Sequence, residues 1–151
     1  MLRSMGVRPL MHQPKYHMFE RDKVEGGILN ACAESGMGVI AFMPLAQGLL
    51  TSRYLNGIAA DSRAASGRTS LKEADITPAK IAKVSALNVL AQARGQSLAQ
   101  MAIAWTLRDP RVTSALIGAS RPEQIEENSA ALAAPCLGAD ELAAIDRILA
   151  G

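Results

Sequence analysis

The sequence predicts an α/β fold in which parallel strands alternate with helices. Two observations carry this prediction. GVIAFM (38–43) and VTSALI (112–117) are short, continuous apolar runs, followed by Pro44 and Gly118, with the length and composition of strands buried on both faces. The segments around and between them space their apolar residues three and four apart, as helices do, and strands joined through helices pair in parallel with right-handed crossovers. Only three strands are predicted, and buried-type parallel strands need neighbours on both edges. The pattern is therefore that of part of a larger sheet or barrel.

The opening MLRSM reads as the last turn of a helix, with Gly6 at its C-cap. VRPLMHQ (7–13) reads as a short strand ended by Pro14. A helix over 22–36 follows, with Val24, Ile28, Leu29 and Cys32 on one face and Gly36 closing it. Strand 38–43 leads into an irregular stretch over 45–76, too long for a plain connector and of the kind used as a lid or binding loop. Thr77 and Pro78 then open a helix as N-cap and first-turn proline, with Ile81, Val84, Leu87, Leu90 and Ala91 inward and Gly95 at its end. Ser97 caps the next helix, whose Leu98, Met101, Ala102 and Trp105 form a core stripe that Asp109 and Pro110 terminate. After strand 112–117, GASRPEQIEEN (118–128) turns into another helix. Ser120 as N-cap and Glu123 three residues on fit a capping box, and the same helix start could also seat an anion. ADELAAIDRILA (139–150) closes the pattern with Leu142, Ile145 and Leu149 inward.

The composition narrows the functional classes. With 151 residues, 49% apolar and 20% charged, the chain is globular, and a net charge of +2 is too small to argue for a nucleic-acid partner. Arg53, Arg63, Arg68 and Lys72 accompany a single acid, Asp61, between 53 and 72. Such a stretch is either a solvated loop or the seat of a small phosphorylated ligand. Cys32 and Cys136 lack CxxC partners and read as buried thiols of a reducing compartment. The most apolar window, 37–50, is too short to span a bilayer and holds a proline, and no secretory signal opens the sequence. The expected location is cytoplasmic, with no membrane partner.

Five segments exceed what packing requires: HQPKYHMF (12–19), FMPLAQGLLTSRYLNG (42–57), DSR (61–63), QMAIAWTLRD (100–109) and LIGASRPEQIEEN (116–128). In this order they resemble the C-terminal half of the aldo-keto reductases, nearest the branch with the bacterial L-glyceraldehyde 3-phosphate reductases and the potassium-channel β subunits. The resemblance implies a (β/α)8 TIM barrel of which this chain supplies strands six to eight, an incomplete barrel forming one domain over 1–151. Ligands of such barrels sit at the carboxyl ends of the strands.

The resemblance also implies roles in binding NADP. Gln13 would hydrogen-bond the nicotinamide carboxamide, and Phe42 would stack on its ring. Met43, Pro44, Leu45, Ala46 and Gln47 would wrap the pyrophosphate with backbone donors, and Arg53 would neutralise it. Arg63 would close over the adenosine side. Gly118 would allow close backbone approach, Ser120 and Gln124 would meet the ribose and its 2′-phosphate, and Glu127 and Asn128 would bond the adenine. Ala119 and Gln124 depart from the Lys and Arg that many members carry there. The family's catalytic Asp, Tyr, Lys and His belong to the first half of the barrel, so no catalytic residue and no metal ligand is assigned. His12, Tyr16, His17 and Tyr54 do not occupy those positions and are given no catalytic role, and His12 and His17 read as structural or partly exposed. The implied function is a piece of an NADPH-dependent reductase of aldehydes or ketones, inactive alone, whose substrate is a small carbonyl compound. A non-catalytic nucleotide-binding or self-associating half-barrel is the alternative, and open barrel edges predict self-association.

Overall fold

A computed structural model describes residues 3–59, 62–66 and 70–151, and nothing is described of the side chains of Arg3, Arg63 and Ser66. Three parallel strands form the sheet in the order β1 (Met11–His12), β2 (Gly38–Phe42), β3 (Ser114–Leu116). Met11 lies opposite Gly38 and His12 opposite Val39, while Ile40, Ala41 and Phe42 face Ser114, Ala115 and Leu116. Helical segments separate the strands, as the alternation of apolar patterns predicts.

The strands are shorter and less buried than their sequences suggest. Of 7–13 only Met11–His12 pairs, both exposed; Pro9 brings no N–H to a ladder, and Leu10 contributes only its carbonyl, accepting from Gly38 N at 2.9 Å. β2 alternates instead of being buried on both faces. Val39 and Ala41 are fully buried, whereas Gly38, Ile40 and Phe42 are half-covered. β3, predicted buried over 112–117, spans three largely exposed residues because its only strand neighbour among the described residues is β2. Its pairing starts earlier than its formal bounds: Thr113 N donates to Val39 O at 2.8 Å, and Val39 N donates to the Thr113 hydroxyl at 3.2 Å. That hydroxyl makes a tight fit for any larger residue at Gly38, since a Cβ there would lie 3.0 Å from Thr113 Oγ1.

The first helical segment contains a π turn over Val24–Ile28 before α1 (Leu29–Ser35). The wider turn lengthens the step between inward residues, so Val24, Leu29 and Cys32 are buried while Ile28 is only half-covered. Gly36 closes α1 at φ +66°, a conformation that costs a glycine little. The 45–76 stretch is not a bare loop. It holds short 3₁₀ turns at Ala46–Gly48, Ser52–Tyr54 and Glu73–Asp75 and the short helix α2 (Arg63–Ser66), and it inserts Leu49, Leu50, Tyr54, Ala64 and Leu71 into the core.

α3 (Pro78–Ala93) begins as predicted, with Thr77 Oγ1 accepting from Lys80 N at 3.2 Å and Pro78 in the first turn. α4 (Leu98–Thr106) carries a reciprocal cap: Gln100 N donates to Ser97 Oγ at 3.3 Å, and Ser97 N donates to Gln100 Oε1 at 3.0 Å. Trp105 is buried against Tyr16, ring centroids 5.3 Å apart, and the Arg108 guanidinium lies 3.7 Å over the indole. α5 (Pro122–Ser129) corrects the predicted cap. Pro122 holds the residue before it in extended geometry, so Arg121 rather than Ser120 is the N-cap. Ser120 N donates to Gln124 Oε1 at 2.7 Å, a role expected for the side chain of Glu123. α6 (Ala139–Ala150) packs on α3 with Ile145 buried and Leu142 and Leu149 half-covered. Cys32 is buried as expected, but Cys136 is exposed, because it follows Pro135 in the extended link between α5 and α6. Among the described residues no helix is long and apolar enough to cross a membrane.

Candidate functional site

The carboxyl ends of the three strands bring the predicted segments to one end of the sheet. Lys15 bridges to Phe42 in parallel fashion, Phe42 N donates to Pro14 O at 3.0 Å, and Tyr16 N donates to Phe42 O at 3.2 Å, so the chain leaving β1 is strapped to the end of β2. On the other side Phe42 faces Leu116, two residues before Gly118. The turn after β2 is held in unusual backbone geometry: Met43, Ala46 and Gln47 have φ of 59°, 47° and 59°. Three non-glycine residues in the left-handed region within five positions mark strain that the surrounding packing must hold. Ala46, Leu49 and Leu50 supply it by burial, and Gln47 Nε2 ties the turn to Ser70 Oγ at 2.8 Å.

A cleft of about 1050 Å³ opens between this turn, the start of α4 and the start of α5. Phe42, Met43, Pro44, Leu45, Gln47, Arg53, Gly118, Ser120, Gln124, Glu127 and Asn128 line it, which is most of the predicted set. Three predicted residues stand apart. Gln13 is exposed just past β1 and does not border the cleft. Ala46 turns its methyl into the core and borders a second cavity, because the left-handed turn points it away. The side chain of Arg63 lies outside the described residues, as does Arg68 of the basic stretch. The backbone of 43–47 also offers fewer donors than the resemblance implies: Pro44 has none, and Ala46 N donates to Met43 O at 2.8 Å.

The charges lining the cleft are Arg53 from the turn after β2 and Arg121 and Glu127 from α5, an excess of one cation. The N-terminus of that eight-residue helix adds partial positive charge. Gln100 Nε2 donates to Glu127 O at 2.9 Å, which fixes α5 against α4 and sets the cleft's width there. Asn128 is buried in the wall.

Sequence reasoning missed the wall that faces α5. Asn88 and Gln92 of α3 and Gln96, Ser97, Leu98 and Ala99 at the α3–α4 junction all border the cleft. GQS at 95–97 reads as a helix stop followed by a helix start, and nothing in its pattern separates a cap from a cap that also faces a ligand. Gln96 stands out because its carboxamide nitrogen is buried and has no hydrogen-bond partner among the described residues.

A second cavity, of about 700 Å³, lies beyond the strained turn and is lined by Lys15, His17, Glu20, Arg21, Lys80 and Lys83 among others. Its chemistry is self-contained. Lys15 pairs with Glu20 at 2.5 Å, Arg21 with Asp146 at 2.5 Å, and Lys83 Nζ donates to Leu149 O at 2.6 Å. His17 is 5% exposed, and burial together with Lys15 and Lys80 pushes its pKa down to about 4, only partly offset by Glu20. Tyr16 beside it is pushed up to about 12, chiefly by burial, while its hydroxyl donates to Glu25 Oε1 at 2.8 Å and accepts from Arg108 at 2.8 Å. Both side chains are bound into packing. His12 is exposed, and Tyr54 is buried below the turn. Among the described residues no cluster of His, Cys, Asp or Glu could hold a metal ion.

Comparison with known proteins gives this arrangement its family. The model of the aldo/keto reductase family matches residues 1–150. The chain is 48% identical over 155 aligned positions to L-glyceraldehyde 3-phosphate reductase of Escherichia coli K12, covering 99% of this chain and 44% of that protein. It is 41% identical over 128 positions to a probable voltage-gated potassium channel subunit beta of Oryza sativa subsp. japonica, covering 83% and 39%. Among solved structures, glycerol dehydrogenase of Gluconobacter oxydans superposes with a TM-score of 0.78 at 28% identity over 97% of this chain and 44% of that one. An aldo-keto reductase of Klebsiella pneumoniae in complex with NADPH superposes with a TM-score of 0.65 at 29% identity over 93% and 39%. The chain thus spans less than half the length of these relatives. Its three parallel strands correspond to a fragment of an aldo-keto reductase fold and not to a closed barrel. Strand order, the cleft at the carboxyl ends of the strands and a match over nearly every residue agree, and the chain belongs to the aldo/keto reductase family.

Proposed function

We propose that this chain forms the dinucleotide-binding portion of an NADPH-dependent reductase of small aldehydes or ketones, with L-glyceraldehyde 3-phosphate-like compounds among the candidate substrates. The observation that carries the reading is convergence. Residues far apart in sequence, from the turn after β2 and from the start of α5, line one cleft that also gathers Arg53 and Arg121. Its volume, about 1050 Å³, is at the upper end for small-molecule sites and suits an extended dinucleotide. The residues present fit that cofactor: cations and a helix start for phosphate, and an aromatic ring at Phe42 for a flat heterocycle. Phe42 and the turn after it would hold the nicotinamide and pyrophosphate, Arg53 would balance charge, and Ser120, Gln124, Glu127 and Asn128 would hold the adenosine end. Gln13, from beside the cleft, and Arg63, whose side chain lies outside the described residues, complete the proposed set. When bound, NADPH supplies a hydride. This chain's part is to bind and orient it, and we assign no catalytic acid or base among its residues.

NADPH fluorescence titration paired with an aldehyde-reduction assay tests the reading. Saturable binding without turnover is expected, and Arg53→Ala should weaken it. No binding would overturn the assignment, and turnover by the pure chain would overturn the claim that its residues include no proton donor. A second reading, self-association, is favoured by one observation. Leu10, Met11 and Leu116, on and beside the outer strands, are 78%, 60% and 54% exposed, and among the described residues each outer strand pairs only with β2. A monomer in size-exclusion chromatography would remove that reading and leave the first intact.

A further inference from the structure

We propose that the second cavity, beyond the strained turn from the dinucleotide cleft, binds a small phosphomonoester, with Lys80 as the principal cation for its phosphate and Lys15 as the second. The pairs already formed inside this cavity leave Lys80 over. Lys15 is taken by Glu20, Arg21 by Asp146 and Lys83 by the Leu149 carbonyl. Lys80 is half-buried, borders the cavity and makes no ion pair among the described residues. An ammonium partly withdrawn from water without a counter-charge is costly, and an anion laid against it relieves that cost. Its helix adds to the excess of positive charge. Lys80 and Lys83 stand three apart near the start of α3, where like charges on one face repel, where the helix end is itself partly positive, and where the first turn contains no acid.

Three acids also border the cavity, Glu20, Asp22 and Asp75, and all three are exposed. Of these only Glu20 acts on the buried His17, and it is outweighed there by Lys15 and Lys80. The inner part of the cavity is therefore electropositive, while its acids lie toward solvent. A phosphate suits it better than a carboxylate, because it brings a second charge and a third oxygen. An ammonium has three donors, and with Glu20 engaging one, Lys15 has others to give, so one phosphate oxygen can face Lys80 and another Lys15. Phe19, Met43 and Leu149, each half-covered, offer apolar surface for the carbon part of an ester, and a volume of about 700 Å³ admits both parts. His17 does not hold the ligand. It stands in the field of Lys80, so an anion placed there moves its resonances without touching the ring. The cavity shares no charged residue with the cleft, so the two sites can be lost separately.

The chain has two histidines, and the exposed His12 serves as the reference for His17. Their imidazole resonances are followed by NMR in the wild type, Lys80→Gln and Arg53→Ala, at neutral pH and constant ionic strength, during titration with glycerol 3-phosphate, inorganic phosphate and glycerol. Glycerol 3-phosphate should shift the His17 resonances saturably, leave those of His12 in place and bind more tightly than inorganic phosphate, and glycerol should shift neither. Lys80→Gln should weaken the binding about tenfold, the scale of one charge-assisted hydrogen bond, and Arg53→Ala should leave it unchanged. A His17 that does not respond, or that responds alike in the wild type and Lys80→Gln, would overturn the site. Equal affinities for the ester and inorganic phosphate would overturn the ester. A response abolished in Arg53→Ala would place the phosphate in the dinucleotide cleft and overturn the proposal as well.

Discussion

Between neutral and mildly acid pH, above the range where the paired carboxylates titrate, acidification should destabilise this protein chiefly through one side chain, His17. The imidazole is almost wholly buried, its Nδ1 has no hydrogen-bond partner among the described residues, and its Nε2 stands 3.9 Å from Glu20, too far for a hydrogen bond. Lys15 and Lys80 oppose a positive charge there, and the pKa falls from 6.5 to about 4. The native state therefore resists protonation while the unfolded chain takes up a proton near the ordinary value. Between these two values the unfolded state binds more protons, so stability is full above the unfolded pKa and declines as pH falls through that window. The whole shift corresponds to about 3 kcal/mol, of which about 2 kcal/mol is lost between about pH 7 and about pH 5. Urea denaturation at steps across this range measures it. The wild-type midpoint should fall with pH, whereas His17→Gln, which cannot titrate there, should give a nearly flat line whatever its absolute stability. Parallel slopes for the two proteins would refute the argument, since they would place the titration elsewhere.

Two further outcomes follow from the packing. Arg108→Met should cost about 2–3 kcal/mol in urea unfolding, because Arg108 donates to Tyr16 at 2.8 Å and to Glu25 at 2.6 Å and covers the Trp105 ring at 3.7 Å; an unchanged midpoint would show the cluster to be decorative. Cys136 should react with a thiol reagent in the native protein and Cys32 only after unfolding, given that one is exposed and the other 3% exposed. Two equally fast thiols in the folded protein would contradict the burial of α1.

The helices were the most legible part of this fold. α3 and α4 each carry their inward stripe and their starting cap, and α6 its inward stripe, within a short stretch of chain, so local pattern and local physics coincide. The strands were less legible because burial of a strand depends on neighbours that its own residues do not encode. VTSALI has the composition of a central strand and sits at an edge. Pro122 shows one local rule overriding another: a serine and a glutamate in the right register suggested a cap, but the proline fixed the extended residue at Arg121. In the cleft, motif position located most of the lining, since a barrel-type fold brings strand ends together wherever its strands run. It failed at Ala46, whose direction is set by a left-handed backbone that no side chain in MPLAQ announces, and at Gln96, which the motifs did not contain.

The turn after β2 has a consequence for how free energy is distributed between folding and binding. Met43, Ala46 and Gln47 each hold a conformation that costs a non-glycine residue about 1–2 kcal/mol, and the buried Leu49 and Leu50 just beyond keep them there. That cost is met once, when the core forms, and not again each time a ligand arrives. A flexible loop of the same composition would have to give up its freedom at every binding event and return part of the contact energy as lost entropy. Affinity at this cleft is consequently tied to the stability of the core beneath it: a change at Leu49 that touches no ligand should loosen the site as surely as a change at its surface.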